Sequence, residues 1–276
     1  MKPRQDSRTA FRLAVEYDGS RFHGWQKQSE RQVAQGIRTV AGTLERVLQQ
    51  AGQRVLVLGG SGRTDAGVHA LGQIAHLHLP ASGTPRPQDL QRIFDEGLPA
   101  DVAVTAVDPC SLSFHARHDA VSRSYLYQLS LRRSAFGKSF LWWVKGRMDL
   151  HRLEEAWRTF AGNYDASAFA DLEPGEDSRV QIKACDFSRD GALVLLRATG
   201  GFFLRRQVRR MVGAAVLCSL GKEKLDTLRR DLERPSKEAT LHWAEKAAPA
   251  AGLFLERVRY SGDPETLPLR PVVWVP

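Results

Sequence analysis

The segment Gly59-Gly60-Ser61-Gly62-Arg63-Thr64-Asp65-Ala66-Gly67-Val68-His69-Ala70 holds two opposite charges, Arg63 and Asp65, two positions apart among small residues. Glycine opens backbone conformations that other residues avoid, so such a loop can carry a charged side chain through a sharp turn. A phosphate-binding loop is one alternative, but the Walker pattern needs Gly-Lys-Ser/Thr at a helix start and no lysine is present. A dinucleotide fingerprint is excluded too, because Gly60-Ser61-Gly62 lacks the third glycine and a strand pattern follows. Two readings remain open. Arg63 and Asp65 form a surface ion pair in a tight turn, with Asp65 serving as a cap. Alternatively, Asp65 is a nucleophile or general base that a nearby arginine keeps ionised.

The elements that must position this loop follow from periodicity. Phe11, Leu13, Val15 and Tyr17 alternate, which predicts a strand ending at Asp18-Gly19. Val33, Ile37, Val40, Leu44 and Val47 recur at three- and four-residue steps, which predicts an amphipathic helix. Val55 to Leu58 is a short strand running into the glycine-rich loop, and Gln73 to Leu79 alternates after it. A helix is expected from Pro87 to Glu96, stopped by Gly97, and a strand from Val102 to Val107. That order is a split β-α-β arrangement of ferredoxin-like type.

A junction is expected at Pro109 to Ser113. Beyond it, strands are expected at Tyr125 to Leu131, at Val180 to Phe187 and Leu193 to Ala198 around the turn Arg189-Asp190-Gly191, and at Leu253 to Tyr260. Leu150, Leu153, Trp157 and Phe160 mark a helix capped by Gly162; Leu204, Val208, Met211 and Ala215 mark a longer one ending at Gly221. A last helix runs from Lys224 to Glu233, before Pro235. The expectation is an α+β protein of two successive domains, residues 9–110 and 111–276, behind a flexible tail of residues 1–8.

Composition bounds the function. With 276 residues, 42% hydrophobic and 26% charged, the chain reads as an ordinary globular protein. No apolar run approaches the roughly 18 residues of a membrane span, and no apolar segment follows the charged start, so neither a membrane anchor nor a secretory signal is expected. Forty Lys and Arg against 31 Asp and Glu leave a net charge of +9. That balance suits a partner whose phosphates release counterions on binding, and equally serves solubility. Cys110, Cys185 and Cys218 form no C-x-x-C pair, which fits a reducing cytoplasm.

Glu16-Tyr17-Asp18-Gly19, Gly24-Trp25-Gln26-x-Gln28 and Gly62 through His69 together resemble the TruA family of tRNA pseudouridine synthases. So do Phe114-His115-Ala116-Arg117, Arg123-x-Tyr125-x-Tyr127 and Phe203-x-x-x-x-Val208-Arg209-x-x-Val212-Gly213, in the same order. The resemblance runs from about Phe11 to Tyr260, and Gly62 to His69 is its specific signature. It implies the pseudouridine synthase fold, two ferredoxin-like halves with antiparallel and mixed sheets flanked by helices around a central basic cleft. It implies isomerisation of uridine to pseudouridine at positions 38 to 40 of the tRNA anticodon stem-loop, without a cofactor or metal, by a cytoplasmic homodimer. In this resemblance Asp65 matches the catalytic aspartate and Arg63 an arginine associated with base flipping. Tyr125 matches an aromatic residue that stacks on the target base, and Arg209 the arginine that pairs with the aspartate.

Those residue types suit the chemistry. The N1–C1′ glycosidic bond breaks, the uracil rotates and rejoins through C5, and the base must first leave its stack. Arg63 can fill the vacated space or grip phosphate, and Tyr125 offers a stacking face. Asp65 can attack C1′, attack C6 or take the C2′ proton, and Arg209 would keep it charged. Arg205, Arg206, Arg209 and Arg210 form two i, i+4 pairs, which read either as an RNA-facing surface or as a solvated face. His76 and His78 read as a satisfied surface pair, Trp25 as core near the site, and at least one of Trp142 and Trp143 as core. Glu96-Gly97-Leu98-Pro99 departs from the family's Asn-x-Leu-Pro turn, and Arg133 to Trp143 has no counterpart in the resemblance. Rival functions are a catalytically silent RNA-binding protein or chaperone, a synthase acting on another RNA, and, more distantly, a metal-dependent hydrolase.

Overall fold

A computed structural model describes residues 7–27, 36–265 and 267–275. The predicted helix residue Val33 and the motif residue Gln28 lie outside the described residues. The chain divides into two compact units, Met1–Val121 with Leu255–Gly262, and Ser122–Phe254 with Asp263–Pro276.

In the first unit the alternating segment forms β1 (Arg8–Tyr17), buried at Phe11, Leu13 and Val15. Helix α1 (Val40–Gln50) begins where the Thr39 hydroxyl accepts the Gly42 amide, and it buries Leu44, Val47 and Leu48. Strand β2 (Val57–Gly60) leads into the glycine-rich loop and β3 (His69–Pro80) leaves it. Helix α2 (Pro87–Gly97) carries proline at its first turn and buries Leu90 and Phe94. Strand β4 (Val102–Cys110) completes the half. The strand order is β4-β1-β3, with β2 antiparallel to β3 in the register Val57↔His78 to Gly60↔Ala75. This is the expected ferredoxin-like pattern.

Gly97 acts differently from expectation. It is the last helical residue, without positive φ, and an added Cβ would sit 2.6 Å from Val47 Cγ1. The helix stops at Leu98, which turns extended ahead of Pro99, so the proline sets the boundary and the glycine lets α1 and α2 close.

The second unit contains β5 (Ser122–Ser130) and the short β6 (Trp142–Trp143), then helix α3 (Leu150–Arg158) capped by Asp149. Next come β7 (Gly162–Asp165), β8 (Arg179–Asp190) and β9 (Leu193–Gly200). Helices α4 (Gln207–Ser219), α5 (Leu225–Glu233) and α6 (Lys237–Ala244) follow. The strand order here is β5-β9-β8-β7, antiparallel throughout, with β6 parallel to β5. Gly162 opens β7 rather than capping a helix, while Gly221, at φ +68°, does end α4 as expected. Phe160, Phe169 and Trp243 pack ring to ring in the core, and the Trp243 indole donates to Asp231 at 3.0 Å. The last strand, β10 (Leu253–Arg259), returns to the first unit beside β3, with Tyr260 donating its hydroxyl hydrogen bond to the Ala116 carbonyl. The fold is α+β, with antiparallel and mixed strands flanked by helices.

Candidate active site

The loop between β2 and β3 is held from below by buried polar groups. Gln73, fully buried in β3, accepts from the Ser61 amide and hydroxyl at 3.2 and 2.8 Å. Its own amide donates to the Gly62 carbonyl at 2.9 Å. Thr64 and Tyr17 share a hydroxyl–hydroxyl hydrogen bond of 2.8 Å in a buried setting, and the Trp25 amide donates to the Thr64 carbonyl. Gly24, at φ +88°, makes that last approach possible, since a Cβ there would collide with the Thr64 oxygen. Trp25 is buried, as expected for a core residue near the site, with its indole against Gly60.

Between these fixed points the two charges take different positions. Asp65 is half-buried and its carbonyl accepts the Val68 amide, turning the chain into β3. Arg63 is exposed, and among the described residues it makes no ion pair with Asp65. No helix follows for Asp65 to cap. The surface-pair reading of this loop is therefore overturned. His69 closes the loop: its Nδ1 accepts the Gly19 amide at 3.0 Å. The same nitrogen lies 3.2 Å from the Asp18 carboxylate.

Tyr125 and Arg209 belong to the second unit. Tyr125 is half-buried in β5 opposite Ala198, its ring edge-on to Phe203 with centroids 5.1 Å apart. Nearby on β5, Arg123 donates to the Gly201 carbonyl at 2.6 Å, and Tyr127 donates to the Pro249 carbonyl at 2.7 Å. Burial raises the Tyr127 phenol well above its ordinary range, with the Arg209 charge working the other way. Arg209 sits in the first turns of α4, and its Nε donates to the Ala248 carbonyl at 2.8 Å. The Ala248 amide in turn donates to the Arg209 carbonyl at 2.8 Å. Gly213, one turn on, explains the closeness: a Cβ there would collide with the Lys246 carbonyl oxygen.

Three further features correct the sequence reading. Arg210 is 2% exposed and is tied to the Ala170 carbonyl and the Asp171 carboxylate, so it faces neither solvent nor RNA. Arg206 starts α4 at φ 59°, a left-handed conformation rare outside glycine, which delays the helix from Leu204 to Gln207. His76 is buried rather than on the surface, its Nδ1 accepting the Ala116 amide at 3.2 Å. Burial, His115 and His78 lower its pKa to about 4. Trp142 packs half-buried against Tyr127 and Trp143 is exposed, so neither belongs to the core, contrary to the expectation that at least one would. The sequence reading missed Gln73 and the Tyr17–Thr64 pair; the only signal for Gln73 was a polar residue inside an otherwise apolar strand. Among the described residues no three His, Cys, Asp or Glu side chains are grouped to hold a metal.

The tRNA pseudouridine synthase family model matches residues 13–119 and 156–261. Arg63, Asp65 and Arg209 lie inside the matched ranges, and Tyr125 lies between them. The chain is 37% identical over 258 residues to tRNA pseudouridine synthase A of Paramagnetospirillum magneticum, covering 92% of this chain and 96% of that protein. It is 36% identical to the protein of that name from Beijerinckia indica, over 92% of this chain and 95% of the relative. The Agrobacterium fabrum protein of the same name is 33% identical over 94% of each. The chain therefore belongs to the tRNA pseudouridine synthase family, whose members are isomerases.

Proposed function

We propose that the protein converts uridine to pseudouridine at positions 38 to 40 of the tRNA anticodon stem-loop, with Asp65 as the catalytic carboxylate. The observation that carries this reading is the setting of Asp65, half-buried on a loop whose flanking Ser61, Thr64 and His69 are buried and hydrogen-bonded. A carboxylate fixed in this way loses little entropy when it meets a reacting atom. In the reaction the N1–C1′ bond breaks, a C5–C1′ bond forms, C5 releases its hydrogen to water and N1 gains a proton. Atoms balance without an oxidant or donor, so the chemistry calls for no cofactor. Asp65 acts on C1′, C6 or the C2′ proton. Arg63, exposed and without a carboxylate partner among the described residues, is free to take the place of the extracted base or to hold its phosphate. Tyr125 supplies a stacking face and Arg209 a positive charge for the reaction. The enzyme works in the cytoplasm as a homodimer.

The test is a map of pseudouridine in a transcribed tRNA bearing uridine at 38, 39 and 40 after incubation with the protein. Modification confined to those positions supports the reading. Modification elsewhere in the tRNA would replace the stem-loop assignment.

A further inference from the structure

The chain from Leu131 to Met148 contains no acidic residue and sits wholly in the second unit. It falls within the stretch 120–155 that the family model leaves unmatched. Its display is built. The Gly137 amide donates to Ser134 Oγ at 3.1 Å and the Phe140 amide to the Gly137 carbonyl at 2.8 Å, which makes a tight turn. Leu141 then anchors in the apolar cluster of Leu126, Leu193 and Leu195, with Phe140 packed against it. Phe136, at the turn's outer edge, is 98% exposed, and Trp143 is 38% exposed with the Arg133 guanidinium 5.9 Å from its ring.

Several exposed arginines elsewhere are matched to carboxylates, as in Arg86 with Asp89, Arg158 with Glu154 and Arg229 with Glu155. Arg133, Lys138, Lys145 and Arg147 are exposed and, among the described residues, have no carboxylate within 4.0 Å. Unmatched cations interleaved with exposed aromatic rings have the chemistry of a single-stranded or looped RNA surface: phosphates meet the charges and bases meet the rings. A second copy of the chain fits poorly, because a twofold contact through this segment would set like charges against each other.

We propose that residues 131–148 form an RNA-docking arm, with Arg133, Lys138, Lys145 and Arg147 seated on tRNA phosphates and Phe136 and Trp143 stacking on bases away from the reacting uridine. The proposal rests on the reading of the protein as a tRNA-modifying enzyme. The test compares the full-length protein with Phe136→Ala and with a variant combining Arg133→Gln, Lys138→Gln, Lys145→Gln and Arg147→Gln. Affinity for unmodified tRNA is measured across a salt series, with pseudouridine formation and light-scattering mass measured in parallel. The combined variant should bind about tenfold or more weakly and lose about three units of the salt slope, roughly 0.7 for each of its four phosphate contacts. Phe136→Ala should weaken binding about tenfold. Turnover at saturating tRNA should stay within about twofold of wild type, as expected when only uniform binding is removed.

Unchanged affinity and slope in an enzyme that makes pseudouridine would overturn the arm while sparing the function. Loss of dimer mass with tRNA affinity intact would overturn it in favour of a second copy. Wild-type protein that does not bind tRNA would sink both. Weakened binding by the variants, alongside wild-type protein that forms no pseudouridine, would support the arm and overturn the function.

Discussion

Arg209 and Arg210 are adjacent in one helix and do opposite work, which periodicity could not separate. Arg210 is consumed by Ala170 and Asp171, some forty residues away in sequence, and long-range partners leave no mark on a local charge pattern. Arg209 spans the Ala248 backbone, and Gly213 lets that backbone approach. Gly213→Ala should therefore cost about 3 kcal/mol through overpacking, lowering Tm by about 6–12 °C in a chain of this size. Gly201→Ala, where an added Cβ meets nothing within 4 Å, should stay within about 0.5 kcal/mol. Thermal unfolding of the two variants checks this, and equal melting points would contradict it.

His76 gives a second prediction at this scale. Its folded pKa, about 4, lies below the ordinary 6.5, so the unfolded chain binds the extra proton first as pH falls. The stability is fully present above pH 6.5 and is lost as pH drops towards 4. The charges facing it are His78, His115 and His118, which oppose its protonation, and Asp119, which favours it. Protonation also turns the Nδ1 acceptor into a donor facing the Ala116 amide. Denaturant melts from pH 7 to 4 should show the decline, and His76→Gln should flatten it; a variant with the same pH slope would contradict the assignment.

Among the elements, β2, the loop and β3 work as one unit, because Gln73 in the strand satisfies Ser61 and Gly62 in the loop. Replacing that amide with an apolar side chain of similar size removes the tie without opening a hole. Gln73→Leu should reduce kcat by about tenfold or more through misplacement of Asp65, with KM for tRNA nearly unchanged. A rise in KM at constant kcat would show instead that Gln73 serves binding. Most elements were legible in the sequence because their apolar residues repeat at two or at three to four positions over long stretches, as in β1 and α1. The two-residue β6, the four-residue β7 and helix α6 were not, since short segments supply too few residues to define a period. The α2 end was placed within one residue, but the role of Gly97 was not legible, because the contact it allows is with Val47 in another helix.

For the whole molecule, the candidate loop was readable because Gly59 to His69 is contiguous and its chemistry is dense. The path of the chain was not. Leu255–Gly262 returns to the first unit after more than a hundred residues in the second, and nothing in the composition of β10 announces its neighbour. The net charge of +9 belongs to this scale too. Affinity for tRNA should fall by about a thousandfold or more between 50 and 200 mM salt if six or more phosphates are contacted; a flat response in a filter-binding series would contradict a phosphate-binding surface.

The central claim is that Asp65 carries out an isomerisation that expels the C5 hydrogen. Its direct test is incubation with unmodified tRNA tritiated at uridine C5, counting label released to water for wild type and for Asp65→Asn while binding of both is measured. The account predicts release by wild type, none by the variant, and comparable tRNA affinity for the two. Release by Asp65→Asn at the wild-type rate, or none from tRNA that the wild type demonstrably binds, would contradict it.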